Sequence, residues 1–247
     1  MENHELPRRA EDLWERCGRS GAVTHTGFLS PAERFQLQGW ARHSGARLLF
    51  AGGWEDAERS AAFFLPDWLE EELFDQAEYL SAMRLTAFFG EPGHRDYMGA
   101  ILGMGIGREW LGDILVNGDT AWIFCMPSVL RHLLSIDKVG RYTVRAEEIP
   151  LDQVPVPERK VKERSFTVNS LRLDAVAAGM FSLSRTEAAR QIEAGALSLN
   201  YEECLKPDKP VSPGDVLSLR GKGKGKVIGT GGESRKGRLY VYTETYL

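Results

Sequence analysis

The fold of the C-terminal third of this chain is predicted by residues 171–200, LRLDAVAAGMFSLSRTEAARQIEAGALSLN. Apolar residues at helical spacing predict a first helix over Asn169–Gly179. A second helix is predicted to begin after Ser184, where Glu187 at the third helical position completes a capping box. Gly195 is placed at the C′ position, where a left-handed conformation ends many helices.

β structure is predicted on the C-terminal side of these helices. Leu197–Leu199 and Val216–Leu219 alternate apolar and polar residues, and Pro213–Asp215 is a turn sequence. Two short helices packed on a small β unit are therefore expected. The next residues, Arg220–Lys226, alternate base and glycine, so the bases of an extended chain would share one side. Both phosphate contact and a solvated flexible run remain open for them; a P-loop is excluded because Val227 follows the last lysine.

The order and spacing of this region resemble the S4 RNA-binding domain. The resemblance is carried by Arg172-Leu173-Asp174, Ser184-Arg185-Thr186, Ala188, Ile192, Gly195-Ala196-Leu197, Leu199-Asn200, Gly214-Asp215 and Leu217. It implies an αL-like fold whose two-helix face and adjoining loop bind structured RNA. It places on the RNA side Arg172, Ser184, Arg185, Thr186, Arg190 and Asn200. The bases expected to extend this surface are Lys206, Arg220, Lys222, Lys224 and Lys226.

Elementary electrostatics supports part of this assignment. Arg185 and Thr186 fall in the first turn of the second helix, where unpaired N–H groups and the helix dipole favour a phosphate. The planar guanidinium of arginine also suits bidentate phosphate contact. The alternative is that Arg172 and Arg185 form ion pairs within the domain, for which Asp174 is a candidate partner, and both interpretations stay open.

The charge of the chain is divided unevenly. The 247 residues carry a formal net charge of −4 with a pI of about 5.8, a balance that by itself disfavours a nucleic-acid binder. Residues 1–157 hold 15 Lys and Arg against 24 Asp and Glu, a net −9, whereas residues 158–247 hold 16 against 11, a net +5. An electrostatic footprint confined to the C-terminal domain is therefore expected.

The rest of the chain predicts two further domains and a linker in a multi-domain α+β protein. Residues 1–82 form an α/β portion with a helix capped by Ser30, a strand over Arg47–Ala51 and a helix from Asp67 to Met83. Residues 151–164, rich in proline and then in charge, are predicted as a linker before the S4 domain at 165–247.

The middle domain, residues 83–150, has the order βαββαβ, which predicts a ferredoxin-like, RRM-like sheet with two helices on one face. Asn117-Gly118 is a strong hairpin signal. Trp122 and Phe124 share one strand face and are either core residues or base-stacking residues. The predicted strands are Leu85–Phe89, Gly112–Val116, Thr120–Cys125 and Arg141–Ile149; the predicted helices are Asp96–Met104 and Pro127–Ser135.

The sequence shows no complete catalytic motif. His94-Arg95-Asp96 lacks the residues that a kinase catalytic loop requires, and a structural or a ligand-contacting role is open for it. Together with Arg108, these residues form a candidate second RNA surface. The cysteines Cys17, Cys125 and Cys204 form neither a metal-ligand pair nor a disulfide set. With no apolar run long enough for a membrane span, a cytoplasmic monomer without cofactor or metal is expected.

The middle stretch resembles the bacterial YlmH family through His94–Ile106, Gly112–Val116 and Asp137–Gly140. The resemblance implies a non-enzymatic factor of the large ribosomal subunit that contacts 23S rRNA and tRNA, in quality control of obstructed subunits holding peptidyl-tRNA. An RNA-modifying enzyme of pseudouridine-synthase or methyltransferase type, with S4 as its targeting arm, is the alternative. A protein–protein adaptor with weak RNA affinity is a third interpretation.

Overall fold

The computed structural model describes residues 5–156 and 161–246, and the chain divides into two compact units, Met1–Pro157 and Glu158–Leu247. Among the described residues, no helix is long and apolar enough to cross a membrane. The multi-domain α+β class is confirmed, because each unit combines helices with antiparallel sheets.

The N-terminal unit begins with a three-stranded sheet in the order β1-β3-β2, against which two helices pack. Its elements are α1 (Glu5–Ser20), β1 (Thr24–Leu29), α2 (Pro31–Ser44), β2 (Leu48–Ala51) and β3 (Ser60–Phe64). The predicted capping box is confirmed: the N–H of Glu33 donates to Ser30 Oγ, and the N–H of Ser30 donates to the Glu33 carboxylate at 2.7 Å.

The second sheet of this unit has the order β5-β6-β4-β8-β7, and its four long strands show the ferredoxin-like pairing that was predicted. The Asn117-Gly118 hairpin joins β5 to β6, with Asn117 paired to Thr120. The elements are β4 (Ser81–Ala87), α3 (His94–Gly103), β5 (Leu111–Asn117), β6 (Thr120–Cys125), α4 (Pro127–Leu133), β7 (Lys138–Val139) and β8 (Tyr142–Ile149).

The two sheets of the N-terminal unit share a core. Phe124 is fully buried and Trp122 half-buried, in a cluster with Phe28 and Phe63 of the first sheet. The face on which an RRM would stack bases is thus covered by the chain's own N-terminal residues, and Trp122 and Phe124 are core residues. The predicted domain border at 82/83 falls inside strand β4, and residues on both sides of it belong to one compact unit.

The C-terminal unit is a six-stranded antiparallel sheet in the order β11-β10-β12-β13-β14-β9, with two helices in contact with each other and with its core. Its buried residues include Val176, Met180, Ile192 and Leu217. The elements are β9 (Val161–Val168), α5 (Leu173–Phe181), α6 (Arg185–Glu193), β10 (Leu197–Leu199), β11 (Glu202–Glu203), β12 (Val216–Leu219), β13 (Gly223–Glu233) and β14 (Leu239–Tyr246).

The predicted helix over Asp67–Met83 is wrong. This segment holds two 3-10 turns, Glu71–Leu73 and Gln76–Glu78, before β4 begins. Arg47 donates to the carbonyl oxygens of Pro66, Asp67 and Leu69 at 2.9–3.2 Å. The Pro66 carbonyl also accepts from the N–H of Leu69 at 3.1 Å, so the segment starts with a tight turn and not with an α-helix. The large apolar side chains of Trp68 and Leu73 in this segment are 68% and 72% exposed.

Two borders of the C-terminal unit also differ from the prediction. Residues 161–164 of the predicted linker form the first half of β9, whose charged residues are tolerated because it is an edge strand. The first helix begins at Leu173, four residues later than predicted, because Ser170 and Arg172 close a tight turn before it. Pro157–Lys160, at the centre of the predicted linker, lie outside the described residues.

Candidate nucleic-acid interface

A carboxylate shared by two arginines lies where α5 and α6 begin. Asp174, 5% exposed in the first turn of α5, accepts from Nε and Nη2 of Arg172, both at 3.2 Å. It also accepts from Nε at 3.1 Å and Nη2 at 3.4 Å of Arg185, the first residue of α6. The ion-pair interpretation of both arginines is therefore confirmed.

This pairing does not exclude an RNA role for the arginines. Each guanidinium gives two of its five N–H bonds to Asp174, and the side chains of Arg172 and Arg185 remain 40% and 54% exposed. One carboxylate against two guanidinium groups leaves a net positive charge. Asp174 therefore fixes the orientation of two cations whose remaining N–H bonds can meet a phosphate.

The Asp174 carboxylate is held in its charged form. Burial opposes ionisation, but the hydrogen bonds from Arg172 and Arg185 outweigh it, so the pKa of Asp174 lies below its ordinary value. The hydrogen bond between Arg172 and Asp174 also raises the pKa of Arg172. The cluster keeps its net positive charge at neutral pH, as phosphate binding requires.

The N-terminus of α6 adds backbone donors beside Arg185. Ser184 caps the helix by accepting from the N–H of Glu187 at 3.1 Å. This leaves the N–H groups of Arg185 and Thr186, the first two of the helix, without partners inside it. The Glu187 side chain turns to Arg190 and Gln191, so the reciprocal half of the predicted capping box is missing.

Two residues placed on the RNA side are engaged within the unit. Arg190 makes a bidentate pair with Glu187 at 2.9 and 3.1 Å, although it remains 74% exposed. The Asn200 amide donates to Asp215 at 2.8 Å and accepts from the N–H of Val216 at 2.9 Å. Asn200 itself has a positive φ of 52°, so its amide stabilises the turn after β10.

The lysine-rich run lies on the other side of the sheet from the arginines. A Cβ placed on Gly225 would lie 2.7 Å from Met180 Sδ of α5, so Gly225 faces the helices. Lys224 and Lys226, its neighbours in β13, consequently face away from the helices. The expected sharing of one side is confirmed for these two lysines. Arg220 and Lys222 lie in the exposed turn before β13, and Lys206 lies in the exposed segment after β11.

The second predicted surface is partly assembled in the N-terminal unit. His94 and Arg108 line one hollow beside Trp54 and Asp113. Arg95 and Asp96 lie with His94 in the exposed first turn of α3, where Asp96 accepts from the N–H of Gly93 at 2.8 Å and caps the helix. The structural interpretation of this motif is therefore confirmed for Asp96.

Asp113 has a structural function that sequence reasoning did not find. It accepts from Trp54 Nε1 at 3.0 Å and from the backbone N–H groups of Glu58 and Arg59 at 2.8 and 3.0 Å. Burial raises the pKa of Asp113 while these three bonds oppose the shift. The residue ties the segment before β3 to β5, a contact between distant parts of the chain that no local pattern reveals.

Exposed tyrosines on β14 were also missed. Tyr240 and Tyr242 are 39% and 45% exposed on the sheet face away from the helices. The signal was present in the sequence, since residues 239–246, LYVYTETY, alternate in the manner of a half-buried strand.

Comparison with known proteins agrees with this architecture. Residues 76–153 match the family described as "Putative RNA-binding domain in YlmH", and residues 171–217 match the S4 domain. The chain is 30% identical over 220 residues to "Ribosome-associated protein quality control protein P2" of Bacillus subtilis (strain 168), covering 89% of this chain and 86% of that protein.

A solved structure has the same fold over part of the chain. "Cell division protein ylmH from Streptococcus pneumoniae" matches with a TM-score of 0.54 and 23% identity, covering 62% of this chain and 94% of that one. At this identity the likeness concerns the fold alone. The two domain matches and the extended similarity to the Bacillus protein show that this chain belongs to the YlmH family of RNA-binding proteins with a C-terminal S4 domain.

Proposed function

We propose that this protein is a non-enzymatic RNA-binding factor of the large ribosomal subunit that contacts 23S rRNA and tRNA. In this proposal it acts as a cytoplasmic monomer in quality control of stalled peptidyl-tRNA complexes. The name of the Bacillus relative supports the ribosomal setting. The observation that carries the RNA contact is the Arg172–Asp174–Arg185 cluster at the N-terminus of α6.

The physical basis is a preorganised cationic site on a basic domain. Asp174 holds two planar guanidinium groups in place, so little side-chain entropy is lost when a phosphate binds. The N–H groups of Arg185 and Thr186 and the helix dipole add to the attraction. The net charge of +5 in residues 158–247 supplies the longer-range attraction to RNA, and the net −9 of residues 1–157 disfavours nonspecific contact there.

Co-sedimentation with purified large subunits tests this proposal. Arg185→Glu is expected to weaken binding at least tenfold, because it removes one phosphate contact and adds a repulsive charge. Arg16→Glu is the matched control: it makes the same charge change at an exposed position of α1, and its binding should equal that of the unmodified protein.

Arg185→Lys separates RNA contact from folding. The lysine keeps a positive charge beside Asp174 but lacks the planar fork, so binding should fall while the thermal unfolding midpoint changes little. Equal binding by the unmodified protein and by both Arg185 variants would contradict the proposal. Binding lost only in proportion to the unfolded fraction would also contradict it.

A further inference from the structure

The six-stranded sheet of the C-terminal unit has an outer face that neither α5 nor α6 covers. In β14, Val241 and Thr243 are buried toward the helices, so Tyr240 and Tyr242 point outward. Lys224 and Lys226 of β13 point outward as well. The tyrosines of one strand and the lysines of its neighbour therefore share one surface.

The neighbours of the two tyrosines are small, which leaves their rings accessible. Tyr240 is paired with Thr167 of β9, and Tyr242 is paired with Ser165 on one side and Gly229 on the other. A Cβ on Gly231 would lie 2.8 Å from Oη and 3.1 Å from Cε2 of Tyr242, so this ring rests against glycine backbone. The backbone supports one side of the ring while 45% of the residue stays exposed.

Basic side chains lie on the same sheet face as these rings. The Lys224 ammonium lies 5.4 Å from the ring centroid of Tyr246 and 5.9 Å from that of Tyr201, within cation–π range. Exposed bases also lie in the turns at the two ends of β13, namely Arg220, Lys222, Arg235 and Lys236.

Acidic residues on this face do not cancel its charge. Glu244 lies beside Lys226 in register and opposite Glu163 of β9, so it offsets one lysine. Lys224 is paired with Ser218 of β12, which is uncharged. Among the described residues, the bases of this strand and its two turns outnumber the acids that strand register places on the same face, Glu163, Glu203 and Glu244.

We propose that this outer face is an RNA surface separate from the Arg172–Asp174–Arg185 cluster, and that it binds single-stranded RNA by stacking bases on Tyr240 and Tyr242. Residues two apart on a strand are about 6.7 Å apart, a spacing that two successive unstacked bases can match. Lys224, Lys226 and the turn bases hold the phosphates beside them. Charge complementarity and the two accessible rings favour single-stranded RNA over an apolar protein partner, because a protein interface core is depleted in lysine.

The proposal rests on the proposed function only in that the ligand is RNA. The surface is on the sheet face opposite the helices, whereas the Arg172–Asp174–Arg185 cluster lies at the helix ends. The two surfaces can therefore be inactivated separately. An RNA loop or end could be held on the sheet while structured RNA contacts the helical side.

Fluorescence anisotropy of the full chain with a labelled oligouridine of about 12 nucleotides tests the inference. Tyr240→Thr with Tyr242→Thr should raise the Kd at least about tenfold, since threonine suits a strand but cannot stack. Tyr240→Phe with Tyr242→Phe is the matched control and should keep the Kd, because stacking requires the ring and not the hydroxyl. Lys224→Gln with Lys226→Gln should reduce the slope of log Kd against log salt by about 1.4.

The outcomes distinguish this inference from the proposed function. Arg185→Glu should weaken co-sedimentation with large subunits and leave oligouridine binding within about twofold. An unchanged oligouridine Kd in the threonine pair, with an unchanged unfolding midpoint, would overturn the inference. So would failure of the unmodified protein to bind oligouridine at low salt while it still binds large subunits. Concentration-dependent self-association that the threonine pair abolishes would assign the face to a second copy of the chain instead.

Discussion

Replacing Asp174 with asparagine tests the arginine cluster most sharply. The change keeps the shape of the side chain but removes the charge that receives four N–H contacts from Arg172 and Arg185 at 3.1–3.4 Å. Hydrogen bonds to a buried charged group contribute about 1.5–3 kcal/mol, and solvent around the half-exposed arginines reduces the ion-pair part. We expect Asp174→Asn to lower the free energy of unfolding of the C-terminal unit by about 2 kcal/mol.

The chain offers an internal control for this measurement. All six tryptophans lie in residues 1–157, so tryptophan fluorescence follows the N-terminal unit alone. Far-UV circular dichroism follows both units, because both contain helices and strands. In urea titrations, the fluorescence midpoint should be the same for Asp174→Asn and the unmodified protein. The part of the circular dichroism change that fluorescence does not follow belongs to the C-terminal unit, and its midpoint should move to lower urea in Asp174→Asn. Circular dichroism transitions at the same urea concentration for the two proteins would contradict the stabilising role of Asp174.

The effect of pH provides a second check. The folded state depresses the pKa of Asp174 below its ordinary value of 3.8, so the unfolded chain binds more protons between these two values. The stability that Asp174 contributes is therefore complete above about pH 5 and is lost as pH falls through the lower, folded pKa. The difference in the free energy of unfolding between the unmodified protein and Asp174→Asn should be constant from pH 7 to 5 and should shrink as the pH falls further. A difference that persists unchanged below pH 3 would contradict the assigned role.

Three further predictions concern the N-terminal unit. Burial, and to a lesser extent the nearby Glu148, raises the pKa of Cys125 to about 12. At pH 8 this thiol should therefore react with iodoacetamide only after unfolding. Rapid labelling of Cys125 in the folded chain, mapped by mass spectrometry, would contradict this prediction. Gly53→Ala should lower the free energy of unfolding, followed by tryptophan fluorescence, by about 2 kcal/mol, because φ is +94° and the new Cβ would overlap the Phe124 ring. An unchanged unfolding midpoint would contradict this overlap. Asp113→Ala should lower the free energy of unfolding by about 2–3 kcal/mol in the same assay, because Trp54 Nε1 and two backbone N–H groups lose their acceptor. Asp113→Asn keeps an acceptor oxygen and should recover part of this loss. Equal stability of the two variants would contradict the role of these hydrogen bonds.

Much of the fold follows from local sequence. The Asn117-Gly118 turn fixes the β5–β6 hairpin, and the alternation of Thr120–Cys125 gives its second strand without error. Ser30 and Ser184 mark the starts of α2 and α6, because capping depends on residues only three positions apart. These features need no knowledge of distant contacts.

The errors arose where distant contacts decide the structure. Helical spacing over Asp67–Met83 was overruled by Arg47, which binds carbonyl groups about twenty residues away. The first half of the edge strand β9, residues 161–164, was assigned to the linker because its charged residues are tolerated only beside β14. Both features require knowledge of tertiary partners.

The candidate site shows the same division. The sequence placed Arg185 correctly in the first turn of the second helix. For Arg172 and Arg185 it could not choose between an ion pair and RNA contact. The structure shows that Asp174 pairs with both arginines while most of their N–H bonds remain available. It also separates Lys224 and Lys226 from these arginines, because strand pairing places the lysines beside the tyrosines on the opposite sheet face.

We propose that the C-terminal unit contacts ribosomal RNA through the helix starts that carry Arg172 and Arg185. Ultraviolet crosslinking of the full chain to purified large subunits, with mass spectrometry of the RNA-bound peptides, tests it directly. We expect RNA adducts on peptides that contain residues 172–190, and we expect these adducts to be lost in Arg185→Glu but not in Arg16→Glu. Adducts confined to residues 5–156, or adducts on 172–190 that persist unchanged in Arg185→Glu, would contradict it.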